Sequence, residues 1–341
     1  MDHKTYLRSH DQNGHISRRS FGAGVAGLAS FAAVAGMRPN LARAANEVQM
    51  VPVPLSIPVD VTQTLKDQGL NSDPWSCSVS AAIGDVFGVG SQLRVRRDVD
   101  NLAVYTVAEI REQDPANVVR MSSIARQRLG TSDVFTGTLH TPLSTKLMTD
   151  AQAENAGAFV ERIADHPQNQ GLLLMAPHGG RIEFNTDHQA RLAAKDLAGG
   201  DVSTWCCSGW RTDNGSTHSR WHVSTTEISP LSFPGLATIA NRGFAYAVGF
   251  HGMKADGVLV GGGAPNELKQ MVRQAIKSVV GNNPVTVVNG GKNSGVSDTN
   301  VVNWITAGNG GGIQLEQSSE IRSKYWSDVA HAVADVFADL I

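Results

Sequence analysis

Short apolar runs alternate with amphipathic stretches along the second half of the chain. Apolar runs predict strands at residues 170–176, 244–250, 258–260 and 285–288, and the first of them suits a strand buried on both faces. Residues 312–316 alternate apolar and polar positions, which predicts a further strand. Apolar positions at helical spacing predict helices at residues 150–163, 186–197, 266–280 and 323–341. Because strands and helices alternate, we expect an α/β fold with a mixed twisted sheet flanked by helices.

The first half of the chain has a different pattern. Residues 92–97 and 102–107 alternate apolar and polar positions, which predicts strands of a small β-rich module. A Pro-rich lead-in precedes this module, and a linker rich in Ser, Thr, Gly and Pro follows it. We therefore assign residues 46–145 to the lead-in, module and linker, and residues 146–341 to the α/β domain.

The first 45 residues have the three parts of a twin-arginine signal peptide in the correct order. Arg18 and Arg19 are followed by Phe21, then by an apolar stretch at residues 22–36 and small residues at 42–44 that suit cleavage. The alternative is a basic, disordered or amphipathic tail. We expect the twin-arginine machinery to export the folded protein to the periplasm or the extracellular space, with no membrane anchor after cleavage.

Composition and charge narrow the classes of partner. The chain of 341 residues is 41% hydrophobic and 18% charged, which is ordinary for a globular protein. Without the first 44 residues it has 23 Lys and Arg against 29 Asp and Glu, a net charge of −6. This balance argues against nucleic acid as a partner. The three cysteines leave two readings open: Cys77 pairs with Cys206 or Cys207, or the thiols stay unpaired.

Candidate metal ligands stand where two of the predicted strands end. His178 follows the run at 170–176 after Pro177, which we expect to end the strand. His251 follows the run at 244–250 in the same way. Because ligands bind at the carboxyl edge of open α/β sheets, two histidines at that edge can share a metal. Zinc hydrolases combine three His or carboxylate ligands with a separate carboxylate that moves protons.

Two carboxylates complete such a set. Glu183 lies five residues after His178, and it is either a metal ligand or a first-turn carboxylate favoured by a helix dipole. In the last predicted strand, apolar and polar residues alternate, and this alternation places Glu316 on the face opposite the apolar residues. Glu316 is therefore a candidate general base, and Glu320 is its rival.

Several ordered motifs between residues 170 and 322 resemble the phage-type poly-γ-glutamate hydrolase family, a zinc-dependent group with a carboxypeptidase-like α/β fold. The matching motifs are His178-Gly179-Gly180 with Ile182-Glu183, His222-Val223-Ser224-Thr225, Phe250-His251-Gly252 with Val260-Gly261-Gly262, and Gly312-Ile313-Gln314-Leu315-Glu316 with Arg322. By this resemblance the zinc ligands would be His178, Glu183 and His251, and the catalytic carboxylate Glu316. The chain departs from the family pattern after Thr225 and around Cys206-Cys207, which bears on substrate preference more than on metal binding.

The resemblance implies zinc-dependent hydrolysis of γ-glutamyl amide bonds in poly-γ-glutamate, with Zn²⁺ activating water and a Glu acting as general base. One alternative is a carboxypeptidase or an N-acyl amino acid deacylase that acts on a small substrate. Another is a non-catalytic exported protein that only binds the polymer.

The pair His218 and His222 has the spacing at which two histidines of a helix bind zinc. The Ser and Thr residues around the pair favour a strand or loop instead. We therefore expect His222 to contact substrate rather than to form a second metal site. Arg211 and Arg322 are candidate cations for substrate carboxylates, although each is also compatible with an ordinary surface position.

Overall fold

The computed structural model of this chain describes residues 46–66 and 69–341. The signal peptide expected at residues 1–45 lies outside the described residues. Within the described part of the chain, no helix is both long enough and apolar enough to cross a bilayer.

The described strands and helices divide into a β-rich first half and an α/β second half. The strands are β1 (Val48–Met50), β2 (Ile57–Gln63), β3 (Ser76–Ser80), β4 (Gln92–Arg96), β5 (Leu102–Arg111), β6 (Val118–Met121), β7 (Phe135–His140), β8 (Phe159–Ala164), β9 (Leu172–Gly180), β10 (Val202–Gly209), β11 (Tyr246–Gly252), β12 (Val258–Gly261), β13 (Val285–Val287) and β14 (Gly312–Gln317). The helices are Ala81–Gly84, Ser123–Gln127, Asp150–Ala156, Thr186–Asp196, Thr217–Trp221, Pro234–Ile239, Asn266–Val279, Val301–Trp304, Ser319–Lys324 and Trp326–Phe337, with a short 3₁₀ turn at Ala307–Asn309.

The second half is built on a mixed sheet with the strand order β1-β8-β10-β9-β11-β14-β12-β13. Its central strands β10, β9, β11 and β14 are parallel, and β8 and β12 flank them in the antiparallel sense. The predicted mixed sheet is therefore confirmed. Because β9, β11 and β14 run the same way, their carboxyl ends meet at one edge.

Both faces of the sheet are covered, which explains the continuous apolar runs. In β9, Leu172 and Leu174 pack into one core with the long helices Asn266–Val279 and Trp326–Phe337. The alternate residues of the same strand, such as Leu173, pack into a second core on the other face. A strand with helices or loops on both faces cannot show alternation of apolar and polar residues, and the sequence prediction of buried strands is confirmed here.

The β-rich module is a closed six-stranded barrel in the order β2-β6-β3-β5-β4-β7. The predicted strands at 92–97 and 102–107 are β4 and β5, and Leu93, Val95 and Tyr105 fill the interior. The expected linker was wrong in part, because β7 lies within it and pairs with both β2 and β4 to close the barrel. The Pro-rich lead-in likewise contains β1 and β2. These strands depend on partners distant in sequence, so their local patterns are weak.

Three predicted boundaries in the α/β half were also wrong. The helix expected over 150–163 ends at Gly157, whose φ of 60° is left-handed, and β8 follows it. The last helix is divided at Tyr325. Pro177 does not end β9, which continues to Gly180. The three cysteines are buried and unpaired, which agrees with the thiol alternative.

Candidate active site

Three of the four principal candidate residues lie on neighbouring parallel strands at the same edge of the sheet. His178 is near the end of β9, His251 near the end of β11, and Glu316 near the end of β14. His251 and Glu316 are directly opposite each other in the pairing of β11 with β14. The sheet therefore brings together side chains from distant parts of the chain, of which His178 and Glu316 are 138 positions apart.

A bulge in β9 sets the direction of His178. Across the pairing with β10, Cys206 is opposite Ala176 and Ser208 is opposite Gly179, so that Cys207 faces two residues, Pro177 and His178. A bulge of this kind redirects a side chain at the edge of a sheet. A Cβ at Gly179 would come within 2.7 Å of the side chains of Asp187 and Ser208, so a larger residue does not fit there.

The turn after β9 returns Glu183 to His178. The Glu183 backbone N–H donates to the His178 carbonyl at 2.8 Å, and the Gly252 N–H donates to Glu183 Oε2 at 3.0 Å. Glu183 Oε2 then lies 3.1 Å from His178 Nδ1 and 3.5 Å from His251 Nδ1. The two Nδ1 atoms are 3.2 Å apart. Tetrahedral zinc with bonds of 2.0–2.2 Å requires ligand atoms about 3.4 Å apart, which this triangle matches.

The protons on these rings show why the triangle suits a cation. His178 Nε2 lies 2.7 Å from the Val223 carbonyl, and a carbonyl can only accept, so Nε2 carries a proton. In neutral His178 the Nδ1 atom then carries no proton, and its lone pair faces the Glu183 carboxylate. Burial lowers the pKa of His178, but the Glu183 charge outweighs it and holds this pKa above its usual value. A metal ion would take the place of that extra proton.

The other two ligand candidates fit the same interpretation. Burial alone would raise the pKa of Glu183, but the His178 and His251 rings hold it well below its usual value, so the carboxylate is ionised. Burial lowers the pKa of His251, which favours the neutral ring that binds metals. Its Nε2 atom, which is not the ligand atom of this triangle, is buried and has no hydrogen-bond partner among the described residues.

A second donor set shares two members of the first. Ligand atoms of His178, Glu183 and His222 lie within 4.8 Å of one another. We favour the set with His251, because its three contacts of 3.1–3.5 Å are closer to the zinc spacing. The His222 ring instead stacks beside the His178 ring, with 4.3 Å between centroids.

The expectation of a strand or loop around His218 and His222 was wrong. Residues Thr217–Trp221 form a short helix, and the Ser216 side chain caps it by accepting from the Ser219 N–H at 3.0 Å. The two rings stack at 4.1 Å. Burial, together with the nearby His178 and His218, holds the pKa of His222 well below its usual value, so this imidazole is neutral.

Glu316 lies beside the triangle in a setting typical of a catalytic base. It is 9% exposed, and burial raises its pKa to about 8, with a further contribution from the Glu183 charge. Gln314 Nε2 donates to Glu316 Oε1 at 2.8 Å, and Asn300 Nδ2 donates to Gln314 Oε1 at 2.6 Å. The amide of Gln314 therefore fixes the orientation of the carboxylate. The rival Glu320 is exposed and pairs with Lys324.

The two candidate arginines are engaged in protein contacts. Arg211 forms an ion pair with Asp213 at 2.5 Å and donates to the Ser216 carbonyl. Arg322 is buried, and its guanidinium donates to the carbonyls of Phe184 and Gln317 beside the site.

Some contacts that shape the site could not be predicted from the sequence, even where the residue belongs to a motif that matches the family. The Val223 carbonyl that orients His178 is a backbone atom of a loop, and only its position in the fold reveals its role. The role of Gln314 could have been suspected, because the period of two puts it on the same face as Glu316.

Comparisons with known proteins bear on the α/β half. A family model described as "Poly-gamma-glutamate hydrolase" matches residues 148–335, more than half of the chain. A bacteriophage poly-gamma-glutamate hydrolase of known structure is 24% identical over 52% of this chain and 88% of its own, with a TM-score of 0.42. The zinc-free structure of YNDL is 19% identical over the same shares, with a TM-score of 0.42.

A metallo-carboxypeptidase from Burkholderia cenocepacia is also similar, at 11% identity over 77% of this chain and 84% of its own, with a TM-score of 0.35. No curated protein matches the chain significantly. The family match contains the four principal candidate residues, and the barrel lies outside it.

Proposed function

The chain belongs to the poly-gamma-glutamate hydrolase family, and on that premise we propose that it hydrolyses γ-glutamyl amide bonds of poly-γ-glutamate with a zinc ion held by His178, Glu183 and His251. One observation carries the proposal. Three ligand atoms converge at 3.1–3.5 Å in a buried position, and their charges and lone pairs face one another. Such a donor set is stable when a cation lies between its members.

When bound, a zinc ion supplies Lewis acidity: it polarises the scissile carbonyl and lowers the pKa of water toward about 7. Glu316 takes a proton from the attacking water and passes it to the leaving amine. Gln314 holds the Glu316 carboxylate in one orientation through the reaction, so the base does not have to be reoriented.

The substrate carries one free carboxylate on each residue, so a cation beside the site is needed. Lys254 is exposed, three residues beyond His251, and no ion pair of its side chain occurs among the described residues. We assign the binding of a substrate carboxylate to Lys254 and to Arg322, whose charge lies close to Glu183 and Glu316. Arg211 is less suited, because Asp213 already neutralises it.

The experiment that tests the proposal is the size distribution of poly-γ-glutamate after incubation with zinc-loaded protein. A chelator-treated sample is the first control, and zinc-loaded Glu316→Gln is the second. We expect shortening by the wild type alone. An unchanged polymer beside protein shown to hold zinc would refute the substrate, and capped small amides of glutamate would then be assayed. Binding of the polymer without shortening would support a purely binding role.

A further inference from the structure

The barrel contacts one segment of the α/β half, residues 217–232, on both sides of Val223. On the first side, Arg128 Nε donates to the Ser219 carbonyl at 2.9 Å. On the second side, Gln92 Nε2 donates to the Glu227 carbonyl at 2.6 Å. The segment is thus attached to the barrel just before and just after the carbonyl that orients His178.

Further contacts strengthen the second attachment. Thr106 Oγ1 donates to Glu227 Oε2 at 3.0 Å. The Gln92 side chain also accepts from the Ser229 N–H at 3.2 Å, and its backbone N–H donates to Ser232 Oγ at 2.6 Å. Gln92 is fully buried, so each of these hydrogen bonds is costly to lose.

The first attachment is built around a stacked cation. The Arg128 guanidinium lies between two aromatic rings, 4.2 Å from the centroid of Trp75 and 4.4 Å from that of Tyr105. Its Nη1 atom donates to the Pro74 carbonyl at 3.0 Å. One side chain therefore holds both the loop before β3 and the helix Thr217–Trp221.

The same loop brings an aromatic side chain toward the site. The Trp75 ring lies edge-on to His218 at 5.9 Å and to His222 at 5.7 Å. His222 in turn stacks against His178. A continuous row of rings runs from the barrel to the first metal-ligand candidate, and Trp75 is only partly buried in it.

We propose that the barrel forms part of the active site, with Arg128 and Gln92 as positioning residues for the segment that carries Val223, and with Trp75 as one wall of the substrate cleft. The barrel fixes the Val223 carbonyl, which holds the His178 ring in the orientation and tautomer that a metal requires. Trp75 offers an apolar face to the methylene groups of the substrate backbone. The role of Trp75 rests on the proposed function, whereas the role of Arg128 and Gln92 rests only on the metal site.

Zinc affinity of the full-length protein, measured by chelator competition, tests the positioning role without any substrate. We expect Arg128→Met to weaken zinc binding by about 10- to 100-fold, the usual effect of disturbing an outer-shell partner of a ligand. Arg120→Met is the matched control, because Arg120 pairs with Asp114 in the same barrel and contacts β2 rather than residues 217–232. It should leave zinc affinity unchanged.

A second variant covers the case in which Arg128→Met does not fold. Gln92→Met has a similar volume and removes the side-chain hydrogen bonds to Glu227 and Ser229, so it should weaken zinc binding in the same direction. Wild-type zinc affinity in the folded variants would overturn the positioning role. Weaker zinc binding in a protein whose wild type leaves poly-γ-glutamate intact would support that role and refute only the substrate.

Steady-state kinetics of polymer cleavage test the proposed role of Trp75 in substrate binding. For zinc-loaded Trp75→Ala we expect KM to rise about tenfold while kcat stays near the wild-type value, because binding is lost and the chemistry is kept. Trp75→Phe keeps an aromatic face and should restore most of the affinity. An unchanged KM in folded Trp75→Ala that retains zinc would overturn this part of the proposal.

Discussion

The Nδ1 atoms of His178 and His251 face each other at 3.2 Å, a distance that leaves no room for a water molecule between them. Both atoms also lie within 3.5 Å of Glu183 Oε2. Two ring nitrogens at this distance need either a shared proton or a shared metal ion. The relationship arises from the pairing of parallel strands, because β9 and β11 are neighbours and both histidines stand at their carboxyl ends.

The choice between the two donor sets can be tested by zinc content. His251→Ala should lower zinc affinity by more than about 100-fold, since even outer-shell changes cost 10- to 100-fold. His222→Ala should keep close to one zinc per chain, because its ring lies beside the triangle. Metal analysis after dialysis against a weak chelator measures both. Loss of zinc from His222→Ala with retention by His251→Ala would reverse the assignment.

Glu316→Gln should separate catalysis from metal binding. The amide cannot accept the proton of water, so we expect kcat to fall by about 10²- to 10⁴-fold, the usual contribution of a general base. Zinc content should be unchanged, because Glu316 is not one of the proposed ligands. Kinetics and metal analysis on the same preparation provide the check. Full activity in this variant would remove Glu316 from the mechanism.

Gln314→Met should alter the pH dependence of the reaction. The hydrogen bond from Gln314 favours the ionised form of Glu316, so its removal raises the pKa of the base further. The acid limb of the kcat/KM profile should therefore move to higher pH, with activity at neutral pH falling about tenfold. An acid limb at the same pH as in the wild type would mean that Gln314 does not act on Glu316.

The raised pKa of Glu316 also has a cost in stability. In chelator-treated protein the folded carboxyl has a pKa of about 8, whereas the unfolded one has the ordinary value of 4.5. Between these values the unfolded chain loses its proton first, so the folded state loses stability as pH rises through this window.

Glu316→Gln cannot ionise and should avoid this loss. At pH 8 we expect the Tm of the metal-free variant to exceed that of the metal-free wild type, by about 2–4 °C for each kcal/mol of unfolding free energy that the wild type loses. Near pH 4 the two Tm values should be equal. Thermal unfolding at the two pH values measures it. A gap that is the same at both would contradict a raised pKa.

Glu161 provides a test of the core rather than of the site. This fully buried carboxylate accepts from Trp205 Nε1 at 2.6 Å and from the N–H groups of Gly235 and Leu236 at 2.8 Å each. Glu161→Gln places an NH₂ group among donors, so we expect a loss of about 1–3 kcal/mol in the free energy of unfolding. Glu154→Gln, in an exposed ion pair with Arg181, is the control and should change it by less than about 0.5 kcal/mol. Denaturant-induced unfolding measures the free energy of unfolding of both variants and of the wild type.

The family, the class of fold and the principal candidate residues follow from the sequence alone. Strands buried on both faces appear as continuous apolar runs, and a histidine after such a run lies at the carboxyl edge whatever the rest of the fold does. These are local properties, and for that reason β9 and β11 were predicted from their apolar runs and β14 from its period of two, although β9 continues past Pro177 to Gly180. Export by the twin-arginine route and the choice of substrate stay predictions.

The closed barrel and the surroundings of the site were decided by tertiary structure. β7 looked like a linker because its pairing partners are distant, and helix Thr217–Trp221 forms despite residues that favour strands. The contact of His178 with the Val223 carbonyl spans 45 positions, and that of Gln92 with Ser232 spans 140. Such contacts depend on how the whole chain packs, because a backbone carbonyl or a buried amide has no side-chain pattern that marks its partner.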